Sequence, residues 1–223
     1  MACVDREGYE VEQSETQNKI LAFLYETAVG RAILSGLIKP QVSVLAGKFL
    51  DSRASRCLIA PFLKRSRIDM SEFEARDYRS YNDFFTRKIK ENRRRFDETG
   101  GHLAAPCDSR LGAYAITDGA RFCIKNTHYT MAQLLRDKKL AGHYEGGTLL
   151  VFRLCVDDYH RYSYVDDGIK SKNRRIRGVF HTVNPLANDV RPIYKENTRE
   201  YSILRSEHFG NILMMEVGAL LVG

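Results

Sequence analysis

Hydrophobic periodicity changes once along this chain, near residue 75, and that change restricts its fold more than any other feature. From Gln17 the apolar residues Ile20, Leu21, Leu24 and Ala28 recur at helical spacing. Ser14 or Thr16 stands where a cap is needed, and Gly36 and Pro40 punctuate the end. Val42, Leu45 and Phe49 continue the pattern, and a third stretch from Leu58 to Leu63 is expected to break at Pro61. From about Tyr78 the texture becomes short β-branched and aromatic runs, Gly112–Ile116, Thr148–Leu154 and Ile212–Val217, separated by turn formers. One helix is predicted among them, over Thr130–Leu140, with Met131, Leu134 and Leu135 on one face. The order of helices and then strands predicts an α+β fold. Amphipathic helices would occupy residues 1–75 and a β-rich domain residues 76–223.

Charge is distributed as unevenly as periodicity. The net charge is +7, and the segment from Arg31 to Arg67 carries eight basic residues against one acid, Asp51, so it accounts for +7 by itself. A basic amphipathic region has three readings: a membrane surface, nucleic acid, or solvated charge on an ordinary helix. Nucleic acid is disfavoured because few aromatics are interleaved with the arginines for base stacking. The odd number of cysteines, Cys3, Cys57, Cys107, Cys123 and Cys155, and the absence of any CxxC pair, point to reduced thiols. The acidic start, MACVDREGYEVEQSE, is unlike a secretory signal, and no stretch of about 18 apolar residues occurs.

None of the six histidines pairs at the i, i+4 spacing of a helical metal site, so no metal is expected. His160 has the most chemical surroundings, Val156-Asp157-Asp158-Tyr159-His160-Arg161-Tyr162, directly after the apolar run Leu149–Leu154. A strand that delivers acids and a histidine to its end is one way to place a general acid or base.

Six segments resemble phosphatidylserine decarboxylases, in that family's order. Tyr81-Asn82-Asp83-Phe84-Phe85-Thr86-Arg87-Lys88 is similar to its NDFFTRK segment, and Ala105-Pro106-Cys107-Asp108-Ser109-Arg110 to its SPADGR segment. Asp158-Tyr159-His160-Arg161-Tyr162 matches its DYHRYH motif through the fifth residue. Gly178–Pro185 (GVFHTVNP), Glu196–Glu200 (ENTRE) and Glu216–Ala219 (EVGA) follow.

The resemblance implies a lyase that converts phosphatidylserine to phosphatidylethanolamine and carbon dioxide through a Schiff base with a pyruvoyl group. That group is made when the precursor cuts itself before a serine in Gly-Ser-Thr, by the logic of a serine–histidine–aspartate triad. It further implies Asp108 as the orienting aspartate and His160 as proton donor or substrate positioner. The implied partners are an anionic phospholipid surface on the cytoplasmic face, the phosphatidylserine substrate, a pyruvoyl-bearing small chain and a second copy in a homodimer, with no nucleic acid.

Two departures stand out. Ser163 replaces the motif's second histidine, the usual base for self-cleavage, and serine is no base near neutral pH. His181, entering from a predicted FHTVNP strand, is the candidate replacement. No Gly-Ser-Thr occurs in these residues, so the chain is expected to be truncated before that site, with GALLVG left as an exposed sheet edge. An inactive lipid-binding member of the family is the alternative expectation.

Overall fold

The computed structural model describes residues 15–222 except 67, 98, 125, 126, 185, 186, 188 and 189. Ser14, Arg67, Pro185 and Gly223 therefore lie outside the described residues, as does the acidic start with Cys3. Helices come first: α1 (Glu15–Glu26), α2 (Ala28–Leu37), α3 (Pro40–Asp51), a 3-10 turn (Arg53–Leu58) and α4 (Ile59–Arg65). A second 3-10 turn (Met70–Glu72) and the short α5 (Tyr81–Phe85) lead to the strands.

The single helix expected from Gln17 is two helices, bent by 96°. Thr27 makes the corner. Its backbone is extended, and its hydroxyl accepts from the Gly30 N–H at 2.9 Å while donating to the Phe23 carbonyl at 2.8 Å. A polar N-cap can thus interrupt an unbroken apolar stripe. Gly30 permits the close approach, because a Cβ there would overlap the Phe23 carbonyl oxygen and lie 2.8 Å from Leu24 Cα. Gly30→Ala is expected to cost about 1–3 kcal/mol through this overlap, measurable as a lower urea midpoint.

Thr16 falls within α1. Pro61 does not break its helix. It occupies the first turn of α4, where backbone N–H groups have no intrahelical acceptor to lose.

The strands are β1 (Arg110–Ala115), β2 (Arg121–Ile124), β3 (Thr127–Thr130), β4 (Thr148–Arg153), β5 (Gly168–Lys170), β6 (Arg174–Ile176), β7 (Arg199–Ser206) and β8 (Gly210–Val217). The short α6 (Met131–Leu135), α7 (Lys138–Gly142) and α8 (Ile193–Glu196) interrupt them. All ladders are antiparallel: β1 with β4, β2 with β3, and a sheet centred on β7. β8 runs the whole length of one side of β7, from Arg199↔Val217 to Ser206↔Gly210. β5 and β6 share the other side end to end, β5 opposite 204–206 and β6 opposite 199–201. Ser171 bridges their gap, donating its N–H to the Ile203 carbonyl at 2.8 Å and accepting from the Ile203 N–H at 2.9 Å.

The helix predicted over Thr130–Leu140 is α6 and α7. Thr130 caps α6 in a reciprocal capping box with Gln133, Arg136 turns left-handed at φ 51°, and Asp137 caps α7. Met131, Leu134 and Leu135 do share a buried face, joined by Ile116, Phe122, Ile124 and Tyr129, with Leu213 and Met215 of β8 packed against them. A smaller cluster of Tyr25, Leu34, Ala187 and Ile193 fastens α1 and α2 to the β-rich part. The Phe180 N–H also donates to the Ile38 carbonyl there, at 3.0 Å.

Candidate active site

The loop after β4 and the α5 segment are held against each other. Arg161 sends Nε and Nη2 to the Thr86 carbonyl, at 3.0 and 2.8 Å. Arg87 reaches the other way, from Nη2 to the carbonyls of Asp157 (3.2 Å) and Asp158 (3.4 Å). Its guanidinium is only 1% exposed and lies over the rings of Phe73 (4.4 Å) and Phe84 (5.3 Å). The Ile89 N–H donates to the Tyr159 hydroxyl at 3.4 Å, and Phe73 packs on the Tyr159 ring.

His160 stands at the centre of this junction. Its ring lies on Phe85 with centroids 4.0 Å apart, and Nδ1 is 3.0 Å from the Asp158 carbonyl oxygen. A carbonyl can only accept, so Nδ1 carries the proton and Nε2 of the neutral ring is a free lone pair. Burial pushes the imidazole below its ordinary range, opposed by the Asp158 hydrogen bond and charge and assisted by the Arg87 charge. Burial likewise pushes the Asp158 carboxyl up, although its Oδ2 accepts from the Cys155 N–H at 2.5 Å.

Asp108 sits in the strip that runs beside Ser163. The Ala104 N–H donates to the Val165 carbonyl at 3.1 Å, and the Ser163 N–H to the Pro106 carbonyl at 2.8 Å. The Asp108 carboxylate itself is ion-paired to Nη1 of Arg94, which also binds Glu72. The serine at the variant motif position thus touches Pro106, two residues before the aspartate in sequence, with its hydroxyl 3.4 Å from the Pro106 oxygen.

His181 has other company. Its Nδ1 is 3.0 Å from the Tyr25 hydroxyl and its Nε2 is 3.4 Å from Glu196, with the ring 4% exposed. Burial lowers its proton affinity, while the Glu196 charge works against that. Residues 180–184 form no strand; Val179 alone bridges to Asn197. None of the hydrogen bonds or ion pairs of His181 reaches Asp108, His160 or Ser163, so the expected approach to a common pocket is not seen.

Sequence reasoning passed over three residues that join the motifs. The Tyr162 hydroxyl donates to Glu216 at 2.6 Å, tying the histidine loop to the end of β8. Asn197 is fully buried and bonds His181 through both its N–H and its carbonyl, and Gly218 through its carbonyl. Arg87 is the third. Its signal was present, as an arginine two and three residues after the aromatic pair Phe85 and Phe84.

The phosphatidylserine decarboxylase family profile matches residues 81–223. A relative from Clostridium acetobutylicum, phosphatidylserine decarboxylase proenzyme 2, is 44% identical over 212 residues, covering 95% of this chain and 73% of its own length. Phosphatidylserine decarboxylase proenzymes from Ruminiclostridium cellulolyticum and Desulfitobacterium hafniense are 40% and 38% identical over 220 residues, covering 96% of this chain and 73% and 74% of theirs. The chain belongs to the phosphatidylserine decarboxylase family.

Proposed function

We propose that the protein converts phosphatidylserine to phosphatidylethanolamine and carbon dioxide at a membrane surface, with a pyruvoyl group carried on a second chain of the same precursor. The observation that carries this reading is the convergence of residues 81–88 and 155–163 on His160, a neutral imidazole with one free nitrogen. Such surroundings suit an organic carbonyl group: an uncharged proton acceptor, an aromatic wall and a partly desolvated site. When bound, the pyruvoyl group supplies the sink for electrons that leave with carbon dioxide.

The chain's own residues manage the proton. Nε2 of His160 takes a proton from the substrate's ammonium, making the amine nucleophilic, and holds it for return to the α-carbon. Phe85 fixes the ring plane, and the Asp158 carbonyl fixes the tautomer. Arg87 and Arg161 act as positioning residues by locking the two segments together. Asp108 is the orienting carboxylate of self-cleavage in this reading. Tyr25 and Glu196 engage both nitrogens of His181, which leaves it poorly placed as the base.

The helices supply the membrane surface. Ile20, Phe23, Val29, Ile33, Val44, Leu45 and Phe49 are all exposed, Leu45 at 71%, although an aqueous fold would normally bury side chains of this size. The basic residues interleaved with them are each worth about 1 kcal/mol against an anionic leaflet. No single helix among the described residues is long and apolar enough to cross a membrane. The Leu45→Ser/Phe49→Ser protein is expected to bind phosphatidylglycerol vesicles at least about tenfold more weakly than the parent, by co-sedimentation. Release of labelled carbon dioxide from carboxyl-labelled phosphatidylserine, by the chain assembled with its pyruvoyl-bearing partner, tests the reaction. No release above a blank would refute the assignment.

A further inference from the structure

A cavity of about 390 Å³ lies where α2 meets the β-rich part, away from the His160 junction. Its size is within the range of small-molecule sites. Among the described residues four cations line it, Arg31 from α2, Arg136 from the left-handed turn after α6, and Arg191 and Lys195 around α8, against one carboxylate, Glu196. That carboxylate is already engaged by Nε2 of His181. Arg31 is satisfied in part by the Glu26 carbonyl at 2.8 Å, and Arg136, Arg191 and Lys195 form no ion pair with any described carboxylate.

A further cation, not itself a lining residue, adds to the imbalance through its neighbour Arg136. Arg199, beside Arg136, is 1% exposed and gives Nε to the Leu134 carbonyl (2.9 Å) and Nη1 to the Asn197 carbonyl (2.6 Å). Its Nη2 has no partner, and no carboxylate among the described residues pairs with this guanidinium. Burial together with the Arg136 charge lowers its proton affinity to about 10. A buried cation without a counter-ion is costly, and a bound anion nearby relieves it. Arginines drawn from separate elements also suit a tetrahedral oxyanion, whose oxygens accept from several directions at once.

We propose that this cavity binds a phosphate-type oxyanion, either the phosphodiester of a phospholipid headgroup or free phosphate. The lipid alternative rests on the membrane reading above and the free-phosphate alternative does not. In either case the anion ties α2 to the segments at α6 and α8, since Arg31 comes from the first and Arg136, Arg191 and Lys195 from the others.

The test compares the 223-residue chain with Arg191→Gln/Lys195→Gln, with Arg136→Gln, and with Lys170→Gln/Lys172→Gln as a charge-matched control outside the cavity. Thermal unfolding is followed against inorganic phosphate, with chloride at equal ionic strength as reference. Co-sedimentation is measured with phosphatidylglycerol vesicles, which offer a phosphodiester but no serine. A saturable rise in Tm specific to phosphate is expected for the parent and the control. The half-saturating concentration should be at least about tenfold higher in both cavity variants. If vesicle binding also falls in the cavity variants beyond the control, the lipid headgroup is the occupant. If only the phosphate response falls, free phosphate is. Equal responses in all proteins, or no phosphate-specific rise and no selective vesicle loss, would overturn the site. Arg136→Gln, on a different element, keeps the test open if the double variant fails to fold. Neither readout uses carbon dioxide release, so the outcome is independent of the decarboxylase assignment.

Discussion

The His160→Asn enzyme is expected to release carbon dioxide from phosphatidylserine about 10²–10⁴-fold more slowly than the parent, the usual worth of a positioned proton-transfer group. Asparagine places its amide nitrogen near the position of Nδ1, so it can still donate to the Asp158 carbonyl and preserve the local turn. It offers nothing where Nε2 stood. His160→Gln reverses this, putting an amide near Nε2 that can accept a hydrogen bond but cannot take up a proton at neutral pH. Comparable loss of kcat in both variants, with KM nearly unchanged, marks proton transfer; a glutamine enzyme with parental kcat would leave only a positioning role. The pH profile gives a third reading. The acceptor form requires a neutral ring, and burial holds the proton affinity below the ordinary value of 6.5. The acid limb of kcat/KM should therefore fall below pH 6.5. Stability has the same sign. The unfolded chain binds a proton on this ring at a higher pH than the folded one does, so the fold loses stability as the pH drops below 6.5.

Much of this site was legible because it is built from contiguous motifs whose side chains act close to their own backbone. Thr86, Arg87 and Phe85 meet Asp157, Asp158, His160 and Arg161 through carbonyls and ring faces, so matching the two segments already selects the junction. The strands at 110–115, 148–153 and 210–217 were legible from their β-branched and aromatic content, which a sheet uses directly. The helix interruptions were not. Periodicity runs through Thr27 because the cap is one hydroxyl in an otherwise apolar stripe, and through Arg136 because the break is a backbone angle. Pro61 misled in the opposite direction, since its effect depends on where the helix starts. The partners of His181 were hidden for a different reason. Its partner Tyr25 is 156 residues away, and a single sequence carries no record of that contact. The same limit hid Tyr162 and Glu216, 54 residues apart.

Asn197→Ala should be among the most destabilising single substitutions in the β-rich part. The residue is 0% exposed, and its amide completes a junction of three segments: Oδ1 accepts from the His181 N–H at 3.0 Å, and Nδ2 donates to the His181 carbonyl at 2.8 Å and the Gly218 carbonyl at 2.7 Å. Alanine would leave three backbone groups without partners, each costing about 1–3 kcal/mol, so a loss on the order of 3–9 kcal/mol is expected. Set against a total of roughly 5–15 kcal/mol for a domain, that approaches unfolding. Asn197→Asp does not rescue it, because a carboxylate keeps the acceptor but removes both donors and faces two carbonyl oxygens. Urea unfolding with an unchanged m value would report the loss as a lower midpoint. The effect should reach the reaction as well. Gly218 lies two residues beyond Glu216, whose carboxylate holds the Tyr162 hydroxyl next to His160, so loosening that end of β8 frees the loop that orients the imidazole. A variant that unfolds within about 1 kcal/mol of the parent would mean that water replaces the amide at all three groups. The three segments would then be held by water and by the flanking backbone hydrogen bonds, from the Thr198 N–H to the Val179 carbonyl and from the Gly218 N–H to the Thr198 carbonyl, at 2.9 Å each.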